Sequence, residues 1–313
     1  MAQVSSEGSS PADLPFSPSS PFDDLTADTI IRSSDGFDFR VHRVVLSQAS
    51  PFFKDMFSLP QAASQAPEPI VVAESGRLFD RFLRVWYPGA QIVVAFDGLE
   101  ELGDIIELAL SKYDMQFLSP ILQNHLRMYR GAHYVGVFAL ACRYGWGDVA
   151  RAAAKDSLKL SLTTLFNDTN STPQLKHVTA DRFQALLRYH HACGLAASLA
   201  GRLLPWSDAK YSWLKCTNCA AYTLEYDVPG LTRRVTPRAW IFHYLDEASS
   251  ILKEKPAASV QDHQILLASQ VKATACSSFC RYDGLSDFAT FVAEKYVPAV
   301  NAAIEGVSLD IPF

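Results

Sequence analysis

The sequence predicts an α+β chain in which a short β-hairpin comes first and helices follow almost to the end. Three patterns carry this reading. Ile30-Ile31, the turn Ser34-Asp35-Gly36, and Phe37, Phe39 and Val41 alternating with Asp38 and Arg40 read as two strands with one apolar face. Phe52, Phe53, Met56 and Phe57 then recur at helical spacing. Further on, Leu102, Ile105, Ile106, Ala109, Leu110 and Tyr113 hold a stripe at i, i+3, i+4, i+7, i+8 and i+11.

The elements between these follow in order. Val44, Val45 and Leu46 break the period of two, and Ser50-Pro51 sets a capping hydroxyl before the residue best suited to a first helical position. The helix it opens should bury Phe52, Phe53, Met56 and Phe57. Residues 60–69 form a Gln, Ala and Pro-rich loop, Pro69 to Ala73 fits a strand, and Leu78 to Trp86 reads as a helix that ends in Tyr87-Pro88-Gly89. Leu99 to Leu126 reads as a pair of helices.

In this order the elements of residues 22–127 resemble a BTB (POZ) domain, a small β-sheet capped by helices. The resemblance implies a protein-binding fold and lends no weight to catalysis. It also implies that Asp28, ahead of the first apolar run, and Arg43, after His42, contribute to a charged pocket at a homodimer interface. Read without it, the same two residues suit an ion pair or cap inside one chain, and His42 suits a fold residue that hydrogen-bonds backbone. Many members of the family are substrate receptors of cullin-type ubiquitin ligases, in which a hydrophobic-x-Glu motif helps the cullin contact. Ala66-Pro67-Glu68 is the weak counterpart here, with Glu68 the candidate residue. Other members are transcription regulators with DNA-binding zinc fingers, and this chain has neither Cys₂His₂ spacing nor a basic domain.

Composition agrees with a folded chain. Hydrophobic residues make up 49% and charged residues 19%, so some apolar surface is expected to serve partners. The net charge of −5 gives no general pull towards nucleic acid or anionic membrane. Arg233, Arg234 and Arg238 make one local basic cluster, read as a solvated loop. Residues 1–21, rich in Ser and Pro, read as a disordered tail without the features of a signal peptide, and no apolar run reaches the roughly 18 residues of a membrane span. The expected location is cytoplasmic or nuclear.

Residues 128–205 resemble the helical extension, often called BACK, that follows many BTB domains. Tyr134, Val137, Phe138, Ala141 and Cys142 share one helical face, a Gly-containing corner follows at Tyr144-Gly145-Trp146-Gly147, and a second helix runs from Val149 to Leu160. A third opens near Thr179, with Phe183, Leu186, Leu187, His190 and Gly194 on its apolar stripe.

Residues 206–313 read as mostly helical and hold Trp206, Trp213 and Trp240, the pair Cys216-x-x-Cys219, a helix from about Gln261 to Ala275, and Cys276-x-x-x-Cys280 at its end. The segment resembles the C-terminal region of a fungal subgroup of BTB proteins in which a Trp-x-x-Cys-x-x-Cys stretch and a later Cys pair recur. Two close pairs can form the two pincers of a tetrahedral Zn²⁺ site, which makes Cys216, Cys219, Cys276 and Cys280 the candidate metal ligands. Against this, three residues separate the second pair, no Gly or Pro shapes a knuckle after Cys219, and the gap between the pairs is long. Buried free thiols and disulfides remain as alternatives. Cys142 and Cys193 read as core residues.

No catalytic constellation appears. The neighbours His190-His191 point about 100° apart on a helix and cannot jointly hold one metal, and no nucleophile elbow, phosphate loop or His-Glu-x-x-His is present. The expected function is a non-catalytic adaptor that binds proteins and self-associates through residues 22–127.

Overall fold

The hairpin forms as its alternation predicts. In the computed structural model β1 (Thr29–Arg32) pairs antiparallel with β2 (Asp38–Val41), placing Ile31 opposite Phe39, and Gly36 takes the turn at φ 87°, where an L side chain would be strained. β3 (Ile70–Val71) joins the free side of β1 in parallel, so the strand order is β2-β1-β3. The structure describes residues 16–59, 68–90, 95–169, 172–203, 211–220, 224–228, 231–235 and 238–311. They divide into one unit ending at Met128 and a second beginning at Tyr129.

The first unit adds α1 (Arg43–Ala49), α2 (Pro51–Ser58), α3 (Gly76–Arg84), α4 (Leu99–Ile106), which widens into a π-type turn over Glu107–Lys112, and α5 (Ser119–Met128). Ser50 caps α2 as predicted: its Oγ accepts from the Phe53 N–H at 3.3 Å, and Pro51 takes the first turn. The predicted burial of the aromatic run holds for Phe53 and Phe57 only. Phe52 remains 44% exposed and Met56 half-buried, because adjacent helical residues diverge and α2 has one covered face.

Tyr113 is the hub of this core. Its ring stacks on Phe53 at 4.8 Å and on Phe82 at 5.2 Å, its carbonyl accepts from Ser50 Oγ at 2.6 Å, and its hydroxyl meets the buried Glu74 carboxylate at 3.1 Å. Lys112 pairs with the same carboxylate. Burial, together with the Glu74 charge, pushes the Tyr113 hydroxyl far above its usual range.

The predicted disordered tail is corrected at its end. The Phe16 ring packs edge-on against Phe37 at 5.1 Å, Phe22 is fully buried, and Arg84, held bidentately by Asp80, donates to the Ser19 and Ser20 carbonyls. Apolar and guanidinium contacts thus order residues whose Ser/Pro composition alone argues against it. The rest of that tail, residues 1–15, lies outside the described residues, as does the loop over 60–67.

The second unit contains α6 (Tyr134–Arg143), α7 (Gly147–Ser157), α8 (Leu162–Thr169), α9 (Ala180–Leu203), α10 (Ala239–Glu254), α11 (His263–Thr274), α12 (Leu285–Phe291) and α13 (Val297–Glu305). The corner between α6 and α7 carries Gly145 at φ 70°. A two-stranded antiparallel hairpin, β4 (Leu224–Val228) and β5 (Leu231–Val235), interrupts the predicted all-helical extension. The predicted boundary at 205–206 and Trp206 lie outside the described residues, yet both sides of that boundary fold together: α9 packs on α10 and α13. Gly194 and Gly201 permit this. A Cβ at Gly194 would collide with the Lys253 carbonyl, and one at Gly201 with the Tyr296 ring. Among the described residues no helix is long and apolar enough to cross a membrane.

Ser50→Ala removes both the α2 cap and the donor to the buried Tyr113 carbonyl. It is expected to destabilise the first unit by about 2 kcal/mol, read as a lowered midpoint in urea unfolding, with Ser50→Thr recovering most of the loss.

Candidate metal centre and interaction residues

The four predicted cysteines converge. The sulfurs of Cys216, Cys219, Cys276 and Cys280 all lie within 4.8 Å of one another. Cys216 and Cys219 sit on the loop after the short helical turn Ser212–Leu214; Cys276 ends the turn leaving α11, and Cys280 begins the π-type turn Cys280–Gly284 within the helical stretch that starts at Ser278. Cys216 Sγ is 3.7 Å from Cys219 Sγ and 3.8 Å from Cys276 Sγ. Cys219 Sγ is 3.4 Å from Cys280 Sγ and 2.7 Å from Cys276 Sγ. An ideal tetrahedron of thiolates on a cation at about 2.3 Å has edges of about 3.8 Å.

Two of the three features that spoke against a shared site have structural answers. The three residues between Cys276 and Cys280 are one helical turn around a corner, enough to bring both sulfurs to one side. The backbone N–H groups of Asn218 and Cys219 turn towards Cys216 Sγ, so amides that any residue supplies make the knuckle without Gly or Pro.

Residues that the sequence did not single out hold the loop in place. Arg238 reaches back to the carbonyls of Trp213, Leu214 and Cys219 at 3.3, 3.2 and 3.4 Å. This corrects its reading as part of a solvated basic loop; the side chains of Arg233 and Arg234 lie outside the described residues. Asp287 on α12 accepts from both the N–H and the hydroxyl of Ser212 at 2.6 Å. Behind the sulfurs, Tyr211 stacks on the buried Trp213, which meets Trp240, and Trp240 meets Phe288. The Ala239 N–H donates to the Ala220 carbonyl at 2.9 Å, so the segment carrying β4 and β5 leaves and re-enters beside the cysteines.

The thiols are electrostatically unequal. Burial raises the Cys216 thiol, but the Ser277 hydroxyl and the amides of Cys219 and Asn218 outweigh it and bring it down to about 6. Burial and the neighbouring thiols push Cys219 up, and burial with Cys216 pushes Cys280 up to about 11, although the Trp240 indole N–H favours the Cys280 thiolate. One thiolate forms readily here and several repel one another, which is the charge problem a bound cation solves. Cys142 and Cys193 differ in kind: both are buried core thiols as predicted, and burial pushes Cys142 up to about 12. His190 is likewise a core residue, with Nε2 2.8 Å from the Leu160 carbonyl and its ring held neutral mainly by burial.

In the first unit Asp28 and Arg43 meet through backbone. Asp28 Oδ1 accepts from the Arg43 N–H at 2.7 Å and so caps α1, while the Arg43 guanidinium lies 4.6 Å over the Phe57 ring and donates to the Phe57 carbonyl. His42 donates its own N–H to the Tyr87 hydroxyl at 2.8 Å, and its ring faces the Asp24 carboxylate at 3.6 Å. The imidazole thus faces a carboxylate and not the backbone group expected of it, while the bond to Tyr87 is made by the His42 amide. Glu68 is exposed just before β3; Ala66 and Pro67 of the proposed motif lie outside the described residues.

Residues 21–129 match the family model of the BTB/POZ domain. This part of the chain is a BTB/POZ domain. No curated protein matches the chain. The match begins one residue before the predicted segment and ends two after it, and it covers the three-stranded sheet, the Tyr113 hub and the Asp28 cap. A BTB/POZ domain mediates protein–protein interaction, and that general activity belongs to this chain. The cysteine cluster lies outside the matched segment.

Two substitutions test these assignments. Asp28→Ala is expected to cost the BTB domain about 1 kcal/mol by thermal or urea unfolding, with Asp28→Asn, which keeps an acceptor, close to neutral. Arg238→Met leaves three carbonyls without their donor and is expected to destabilise the second unit by about 2 kcal/mol or more, seen as a lowered thermal midpoint.

Proposed function

We propose that this protein is a non-catalytic scaffold or adaptor whose BTB domain self-associates or docks on one protein while residues 206–313 recruit another. The match of residues 21–129 to the BTB/POZ domain carries the reading. Its surface supports it: Val44, Phe52, Leu59, Val71, Phe117 and Ile121 remain exposed on a domain whose core is already filled by larger rings. Phe117, in the 3₁₀ turn Gln116–Leu118, and Ile121, in the first turn of α5, stand four residues apart. Apolar groups of this kind supply the buried centre of an interface once a partner covers them.

Within this proposal the work is done in the cytoplasm or the nucleus, and the partners are proteins. Service as a cullin-ligase substrate receptor is a narrower version that would use the surface around the exposed Glu68. Transcription regulation, which some BTB proteins carry out, is the remaining alternative.

Size-exclusion chromatography with light scattering is expected to show a dimer; a monomer across a wide concentration range would remove self-association from the proposal. Affinity purification with mass spectrometry, under conditions that preserve neddylation, is expected to recover protein partners dependent on residues 21–129. A cullin among them would establish the receptor version, and its reproducible absence would end it.

A further inference from the structure

We infer that Cys216, Cys219, Cys276 and Cys280 bind one Zn²⁺ ion as a tetrahedral thiolate site that fastens the loop after Trp213 to the helical corner at 276–280. Three observations converge on this. All four sulfurs lie within 4.8 Å of one another although the two pairs stand 56 residues apart in the chain. Two of the sulfur–sulfur edges, 3.7 and 3.8 Å, match a tetrahedron around a cation with bonds of about 2.3 Å. Cys219 and Cys276, the pair whose sulfurs lie nearest to each other, stand at 2.7 Å, beyond the about 2.05 Å of a disulfide bond. All six cysteines are unbridged.

The surroundings are those of a closed structural site. Two of the four cysteines are buried and two half-buried, and the aromatic wall of Trp213 and Trp240 backs them. Amides of Asn218 and Cys219 and the Ser277 hydroxyl, 3.5 Å from Cys216 Sγ, orient the first pair. Arg238 holds the loop carbonyls and places a positive charge beside a site that carries a net charge of −2 when four thiolates surround Zn²⁺. Each thiol releases its proton to solvent as the metal binds. All four positions are filled by protein, so the ion has no open position for substrate and acts by folding. Its consequence here is local: with Cys219 fixed, and Ala220 bonded to Ala239, the entry and exit of the β4–β5 segment are set by the metal.

Zn²⁺ is the ion of choice because it has no ligand-field preference and tolerates a corner pair beside a knuckle pair. Iron also accepts four sulfurs, so elemental analysis decides between them. Full-length protein, purified without chelator and dialysed, is expected to contain about one zinc per chain. After exchange with Co²⁺ it is expected to show the visible bands of tetrahedral cobalt and thiolate-to-metal charge transfer in the near ultraviolet. The Cys216→Ser, Cys219→Ser double variant is expected to lose the metal. Cys276→His, which keeps a ligand, is expected to retain it with a shifted cobalt spectrum, so that loss of binding and loss of folding are told apart. Folded, unmutated protein that holds no stoichiometric metal and gives no cobalt spectrum would overturn the inference. So would iron in place of zinc, a Cys219–Cys276 disulfide by non-reducing peptide mapping, or full zinc retention by the double variant.

Discussion

The BTB domain is organised around Tyr113, whose ring, hydroxyl and carbonyl each carry a different element. The ring is sandwiched between Phe53 of α2 and Phe82 of α3, the hydroxyl closes on Glu74, and the carbonyl receives the Ser50 hydroxyl that also caps α2. A buried ring is worth most when its polar end is also satisfied. Glu74 satisfies it and is in turn neutralised by Lys112. The small sheet can then remain short, because the helices are held together by this residue and not by strand pairing.

The second unit meets a different constraint. Its aromatic residues, Trp213, Trp240, Tyr244, Phe288, Phe291 and Tyr296, form one continuous cluster, edge-to-face apart from the stacked Phe291–Tyr296 pair, and α9 approaches Tyr296 where Gly201 leaves room and the α10 backbone where Gly194 does. The cysteines sit at the margin of that cluster. Core thiols such as Cys142 are kept neutral by burial, whereas Cys216 is surrounded by donors that favour its charge. Two environments in one unit thus set the packing thiols Cys142 and Cys193 apart from the four that converge.

The two units divide the work. The BTB domain exposes apolar side chains over a filled core, a surface suited to partners; in the second unit Arg238 and Asp287 hold a loop that no regular secondary structure secures. Arg238 shows how. Its three acceptors are loop carbonyls, and a guanidinium is the side chain that can donate to all three at once.

By itself the sequence determined much of what rests on local pattern, though not the β4–β5 hairpin. Alternation placed β1 and β2, helical spacing placed the stripe from Leu102 to Tyr113 and the helices α6, α7, α9 and α11, Ser50-Pro51 marked a cap, and the ordered run of elements from 22 to 127 carried the family. It also named all four cysteines, since thiol pairs at short spacing are visible in one dimension. What it could not decide were contacts whose partners have no sequence period. The ordering of residues 16–22 depends on Phe37 and Arg84; the role of Asp28 depends on a backbone amide fifteen residues away; Arg238 bonds to carbonyls, which every residue has. The exposure of Phe52 beside the buried Phe53 follows from which face of α2 its neighbours cover. Whether the two cysteine pairs belonged to one site was likewise a matter of tertiary structure, because only the packing of α11 and the corner at 276–280 against the Trp213 loop brings four sulfurs into one place.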